Sequence, residues 1–419
     1  MKNDGPQVLI VGAGLAGLSC AVTLYRSGIS FFILEAANRI GGRVQTDRFE
    51  GFLLDRGFQV LQTAYPEAQR MLDTSALHLQ PFSPGAVIRW NGGFHVVADP
   101  VRLPRYFLNS IFSPIGTFGD KLRMMRLARC TTRGTLRDLF DRPEYPTAQY
   151  LRRQGFSERI IERFFRPFFS GVCLDPQIRV SSRVFEFVFR MFAQGDVALP
   201  AEGMGAIPRQ LVAQIPPSSI RTATRVRSVS EGGLTLEQGE TLSGAAVVLA
   251  TEAPEAARLL GLAERPASCE VSCLYYAAKR PPLEGKLLIL NAEGRGPVHS
   301  LTVVSNVAPS YAAPGHALVN VVILQDNTLE EASLENEVRR QLTQWFGPQI
   351  AHWRHLRAYR IAHALPLQIP PLSNPTRLGP QPRAGVYVCG EYGGVAGIQW
   401  ALLSGRLTAE RIVEDLKTP

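Results

Sequence analysis

Two stretches of this 419-residue chain repeat one arrangement: a short apolar run, a glycine-rich turn, and a longer segment with apolar positions at helical spacing. In the first, Val8 to Val11 is unbroken apolar and meets glycines at once; "LAGLSCAVTLYR" follows, and then "FFIL". That order predicts strand, tight turn, helix, strand. The second lies near the end, where "GVYVCGE" reads as a short buried strand and "IQWALLSGRLTAERIVEDL" as a helix. Between them, "IRTATRVRSVSEGGLTLEQGETLSGAAVVLAT" alternates as short strands with glycine turns and ends on the buried run Ala246 to Ala250.

Two other stretches have a different texture. Residues 76–199 read as helical, with apolar turns such as "RFFRPFFSGV" and "FEFVFRMF"; Phe164, Phe165, Phe168 and Phe169 are expected mainly as core. Residues 266–374 mix strands such as "SCLYYAA" and "ALVNVVIL" with a helix near "LENEVRRQLTQWF". No internal repeat or low-complexity linker separates these pieces.

The first turn, "GAGLAG", has the G-x-G-x-x-G spacing in Gly12, Gly14 and Gly17. The first glycine allows the turn, the second lets backbone approach a pyrophosphate, and the third lets helix and strand pack closely. Ala13, Leu15 and Ala16 complete a loop whose N–H groups can meet phosphate oxygens. Glu35 follows the second strand at the distance where an acid takes the ribose hydroxyls of an adenosine, with Ala36 beside it. An acid there disfavours a 2′-phosphate. The glycines alone leave NAD and FAD open, but "NRIGGRVQT" adds Gly41, Gly42 and Arg43, which would bring backbone and a guanidinium toward the same pyrophosphate and favour FAD.

Glu35, Arg39, Gly41, Gly42 and Arg43 form an E-x-x-x-R-x-G-G-R run, and here the chain resembles the flavin amine oxidase superfamily, which includes protoporphyrinogen oxidases, carotenoid desaturases and monoamine oxidases. The resemblance extends further. "GFLLDRGFQVL" is similar to the family's D-x-G segment beside the flavin, with Asp55, Gly57 and Gln59, and "LPAEGMGAIPRQLVAQI" to its re-entry into the cofactor domain near Gly203. By the same analogy Val226 packs on the adenine. Near the C-terminus Gly390, Glu391, Ile398, Gln399, Ala401, Ser404, Gly405 and Arg406 match the family's closing motif, whereas Trp400 stands where the family has glycine. The implied fold is α/β: a Rossmann-like FAD-binding domain (1–75, 200–265, 375–419) interleaved with an α+β substrate domain (76–199, 266–374).

The implied function is FAD-dependent oxidation, with hydride passing from substrate to flavin N5. Such chemistry needs no conventional base, and the chain shows no nucleophilic triad or clustered carboxylates. Amine oxidases of the superfamily often carry a lysine on a substrate-domain strand, near which Ser272 falls here; they also place an aromatic pair around the amine. No cysteine sits where covalent flavin attachment is expected. These departures favour non-covalent FAD acting on a lipophilic substrate in the manner of desaturases or protoporphyrinogen oxidases. Gln59, Tyr275 and Trp400 are pocket candidates, and no catalytic residue is assigned. The electron acceptor is open between oxygen and quinone. Amine oxidation, a redox-neutral isomerase or mutase, and a non-catalytic binding protein on the same scaffold are the alternatives.

Charge alters this picture in one place. The net charge is +9, and between Arg89 and Arg190 there are 18 Lys/Arg against 9 Asp/Glu, so the excess resides in this segment. Within it "DKLRMMRLAR" sets Met124, Leu127 and Ala128 at helical spacing, with Arg123, Arg126 and Arg129 on another face. A solvated face over ordinary core is the plain expectation, and peripheral contact with an anionic membrane the alternative. No regular interleaving of basic and aromatic residues suggests nucleic acid. No apolar run approaches the roughly 18 residues needed to span a bilayer. Six scattered cysteines indicate neither a disulfide framework nor a zinc site, so a cytoplasmic location is expected. His352 and His355 are three apart without a third ligand, and no metal is assigned.

Overall fold

The computed structural model describes residues 7–99, 102–104, 113–264, 266–324, 330–377, 379, 381–391 and 395–417. The apolar runs read above form a five-stranded parallel sheet. Its order is Ile220–Arg221, Phe31–Leu34, Val8–Val11, Ala246–Leu249, Val386–Val388. Val8–Val11 and Ala246–Leu249 are buried throughout, the continuous apolar pattern that a parallel sheet covered on both faces requires.

One face is covered by two helices, Leu15–Arg26 and Ile398–Lys417, which come from opposite ends of the chain. They cross so closely that a Cβ on Gly405 would lie 2.1 Å from the Ala16 carbonyl oxygen. The Ser19 hydroxyl donates to the Leu402 carbonyl at 2.7 Å across the same contact. The other face packs on a three-stranded antiparallel sheet, Val226–Ser230, Gly233–Leu236 and Thr241–Ser243.

A seven-stranded mixed sheet forms the second layer, in the order Arg354–Pro366, Ser268–Ala278, Ala317–Leu324, Ser300–Val303, Leu288–Asn291, Gly85–Trp90, Gly93–Ala98. Its last two strands depart from the helical expectation for residues 76–199. They are a hairpin turned at Asn91 (φ 49°) and Gly92 (φ 75°), the Asn-Gly pair at positive φ that a tight hairpin favours. Apart from the short strands Gln80–Pro81 and Val197–Leu199, the regular structure in the described part of that segment is otherwise helical, and Phe165 and Phe169 are fully buried against Phe185, as expected of core.

Three hydrogen bonds to Asp55 tie the layers together. Asp55 accepts from the Met204 N–H at 3.0 Å and the Tyr311 hydroxyl at 2.9 Å, while its own carbonyl accepts from the Tyr275 hydroxyl at 2.8 Å. No helix among the described residues is long and apolar enough to cross a membrane.

Candidate functional site

Both glycine turns come to the same edge of the parallel sheet, because each follows the carboxyl end of one of its strands. Gly12 succeeds Val11, Glu35 succeeds Leu34, and Cys389 alone separates Val388 from Gly390 and Glu391. In open parallel sheets this edge is where ligands bind.

The first turn is held by its neighbours. The Gly12 N–H donates to the Leu34 carbonyl at 2.8 Å, and with φ at +105° a Cβ on Gly12 would lie 2.8 Å from the Ala250 oxygen. Glu35 spans the turn, its two oxygens accepting from the Ala13 N–H at 2.7 Å and the Ala37 N–H at 2.8 Å; Ala36 is exposed beside it. Helix Leu15–Arg26 starts from Gly14 with no side chain capping it, which leaves the first-turn N–H groups and the positive end of the helix dipole for another partner.

The second glycine pair closes over the first. The Gly41 N–H donates to the Ala13 carbonyl at 2.8 Å, and a Cβ on Gly42 would lie 3.2 Å from the Gly14 Cα. A Cβ on Gly14 would meet only the Gly42 Cα, at 4.0 Å. Two glycines from different loops thus face each other across a space that a side chain on either would fill. Arg39 is held by Asp47 at 2.6 Å, beside this loop.

The C-terminal motif has a local reason for each matching residue. The Ser404 hydroxyl accepts from the Gly390 N–H at 2.8 Å, Gly405 allows the helix crossing, and Arg406 makes paired bonds to Glu67 at 2.9 and 2.8 Å. Glu391 is buried. It accepts from the Ala253 N–H at 2.9 Å and lies 2.6 Å from the Arg43 guanidinium, which also donates to the Ala364 carbonyl at 2.7 Å. Nearby Glu252 has its carboxyl pushed above the usual range by burial, with Arg43 opposing that shift and Glu391 adding to it. Residues Tyr392, Gly393 and Gly394 of the connecting loop lie outside the described residues.

A model of the family described as flavin containing amine oxidoreductase matches residues 15–413, nearly the whole chain. The chain belongs to the flavin-containing amine oxidoreductase family. A flavin cofactor is implied by that membership. Protoporphyrinogen oxidase of Nicotiana tabacum is 24% identical over 231 residues, 54% of this chain and 44% of that protein. Polyamine oxidase 2 of Arabidopsis thaliana is 44% identical over 57 residues, 14% of this chain and 12% of that one. The chain therefore matches less than half the length of either relative. Among solved structures, a putative protoporphyrinogen oxidase from Exiguobacterium superposes with a TM-score of 0.73 at 18% identity, covering 97% of this chain and 98% of that one. At that identity the likeness establishes the fold.

The residues present fit a flavin dinucleotide of this family. The backbone at Gly14 and Gly42 is bare of side chains, the helix start at Gly14 is uncapped, and one buried polar atom at the D-x-G segment has no partner. That atom is Oε1 of Gln59, whose Nε2 donates to the Arg43 and Arg56 carbonyls at 2.9 and 3.2 Å. Gly57, at φ +91°, packs under Ile361.

Several residues expected at the site have protein partners in the fold. Arg43 pairs with Glu391 and donates to the Ala364 carbonyl. Val226 is buried in the core with Leu9, Val11 and Leu34, and its carbonyl accepts from Arg258 at 3.1 Å, so its side chain packs on the sheet. Ile398 packs half-buried on the main core. Gln399 is a strut, since its Oε1 accepts from the Glu67 N–H at 3.0 Å and anchors helix Pro66–Met71. Gln399→Leu is expected to cost about 1–2 kcal/mol, the loss of a buried bond plus an orphaned N–H, and to leave flavin content unchanged, as denaturation and the visible spectrum would register. Tyr275 is buried, and its hydroxyl donates to the Asp55 carbonyl. Trp400 is core, packed 5.0 Å from Phe140 and 4.7 Å from Phe187.

The substrate-sheet face opposite the D-x-G segment carries Cys273, the neighbour of Ser272. Cys273, not Ser272, packs with Phe58, because neighbours on a strand point to opposite faces. Its thiol is pushed up to about 12 by burial, so it stays neutral. With it lie Leu174, Val271, Val322, Leu324, Ile361 and Ala364, an apolar wall that no spacing along the chain announces. Among the described residues no group of three or more His, Cys, Asp or Glu gathers to hold a metal.

Proposed function

We propose that this protein binds FAD non-covalently and oxidises a lipophilic substrate by hydride transfer, in the manner of desaturases and protoporphyrinogen oxidases. The observation that carries the reading is convergence: Gly12, Gly14, Glu35, Gly42 and Glu391 meet at the carboxyl edge of adjacent parallel strands. In this reading Gly12 to Gly17 and Gly41 to Gly42 hold the pyrophosphate, and Glu35 takes the ribose. Arg43 and Glu391 lock the loop against the strand Arg354–Pro366.

Bound flavin supplies the two-electron acceptor. The protein's own part is to bring the donor carbon close, exclude water and stabilise the reduced ring. The apolar wall around Phe58 and Cys273 excludes water, and the start of helix Ile398–Lys417 offers positive potential for a reduced ring. With flavin bound, loss of a hydride to it and of a proton from the adjacent atom to solvent would leave a double bond in the substrate. The electrons pass on to oxygen or a quinone.

The test is direct. The purified protein is expected to be yellow, and acid precipitation should release the flavin into the supernatant. Anaerobic screening with carotenoid precursors, porphyrinogens and amines should bleach the flavin with one of the first two classes. Bleaching by amines alone, or a colourless protein after reconstitution with FAD, overturns the reading. Product of unchanged oxidation state formed with no artificial acceptor would identify redox-neutral chemistry instead.

A further inference from the structure

Helix Phe118–Thr131 has apolar side chains on two opposite sides. Met124, Leu127 and Ala128, the apolar face expected from spacing, form the inward side: Leu127, Asp120 and Thr131 are buried and Met124 packs with Phe156, Ile160 and Phe165. The outward face is apolar as well. Phe118 is 68% exposed, Leu122 49% and Met125 53%, three of the seven large apolar side chains that are exposed among the described residues. At 3.6 residues per turn these three and Arg129 fall within about 60° of one another, opposite the buried side.

Basic residues flank and extend this stripe. Arg126, Arg129 and Arg133 are exposed, and none makes an ion pair among the described residues. The one acid of the helix is turned away. Asp120 is fully buried and caps the helix through Thr117, and it accepts from the Ser157 N–H at 2.9 Å and the Ser157 hydroxyl at 2.6 Å. That anchoring fixes the helix to the body, so the outward stripe is preset and not a product of fraying.

We propose that this face docks the protein on an anionic lipid surface, with Phe118, Leu122 and Met125 entering the acyl boundary and Arg126, Arg129 and Arg133 meeting lipid phosphates. Apolar side chains ringed by unpaired cations suit an interface that is apolar beneath and negative above. A protein partner would have to supply both an apolar groove and an acidic rim; a bilayer with anionic headgroups supplies both. The docking stands apart from the flavin reading, since it needs no cofactor and its assay reads none.

The test is co-sedimentation of the full chain with vesicles of phosphatidylcholine alone or with added phosphatidylglycerol. Binding is expected to the anionic vesicles and to weaken with salt. Phe118→Ser, Leu122→Ser and Met125→Ser together should abolish it, with melting temperature unchanged because the positions are exposed. Phe118→Leu should retain it. Each of Arg126→Gln and Arg129→Gln should weaken it about fivefold, the equivalent of roughly 1 kcal/mol per charge. Absence of binding by the wild-type chain, or equal binding by the triple-serine variant, overturns the proposal. So does a dimer that dissociates in the triple-serine variant without any vesicle binding, which would make the face a contact between copies.

Discussion

Gly14→Val yields a folded protein without flavin. The substitution is tolerated by the backbone, since Gly14 sits at φ −75° and ψ 179°, extended conformation that any residue adopts. It is tolerated by the packing too, because a Cβ there would meet only the Gly42 Cα at 4.0 Å. What the valine adds is bulk over the uncapped helix start, where a pyrophosphate would have to approach the backbone N–H groups. Gly17→Val is the contrasting case. A Cβ on Gly17 would lie 2.1 Å from the Gly12 oxygen, a clash with backbone that cannot swing aside, so the cost is expected to exceed the ~1–3 kcal/mol of ordinary overpacking. Circular dichroism and the flavin spectrum separate the two: native helix content with no visible absorbance for Gly14→Val, and loss of fold for Gly17→Val. Normal flavin content in Gly14→Val would contradict the assignment of the cradle.

A glycine turn is local chemistry, and the distance from Gly12 to Glu35 is set by one strand–helix–strand unit, so both are legible from spacing. The matching C-terminal motif is legible by resemblance, but its physical basis is not. Ser404, Gly405 and Arg406 act on Gly390, Ala16 and Glu67, partners that only the folded chain brings near. The same limit explains Arg43 and Gln399. Each has a side chain whose function depends on a partner at the far end of the chain, and each finds a protein partner there.

The phase of the strand Ser268–Ala278 is hidden for another reason. Val271 to Ala278 is buried on both faces, so no polar alternation marks which side looks toward Phe58, and nothing along the chain separates Ser272 from Cys273. Tyr275 and Trp400 illustrate the commonest ambiguity, since a buried aromatic that packs core and one that lines a pocket have the same sequence signature. The hairpin Gly85–Ala98 does carry a signal, Asn-Gly between alternating residues, but the helical turns that follow it dominate the pattern of the segment.

Asp55→Ala should cost roughly 3–5 kcal/mol, about what losing one member of a buried charged network costs. The carboxylate takes bonds from the Thr46 hydroxyl, the Met204 N–H and the Tyr311 hydroxyl, so alanine strands three buried donors and unties the sheet layer from the re-entry segment. Burial pushes its carboxyl up to about 6, outweighing the bonds from Thr46, Tyr311 and Met204 and the charge of Arg209, all of which pull it down. The folded chain therefore holds this proton more tightly than the unfolded one does. Its contribution is fully present below pH ~4, the ordinary carboxyl range, and is lost as pH rises through about 6. A proton held to about pH 6 in place of the ordinary 3.8 is worth at most about 3 kcal/mol across that window. Asp55→Asn keeps an acceptor for Thr46 and Met204 while removing the titration. It should therefore be milder than alanine and should flatten the stability profile between about pH 4 and about pH 6. Urea melts of the three proteins across that range decide the matter; an unchanged slope in Asp55→Asn would place the titrating group elsewhere.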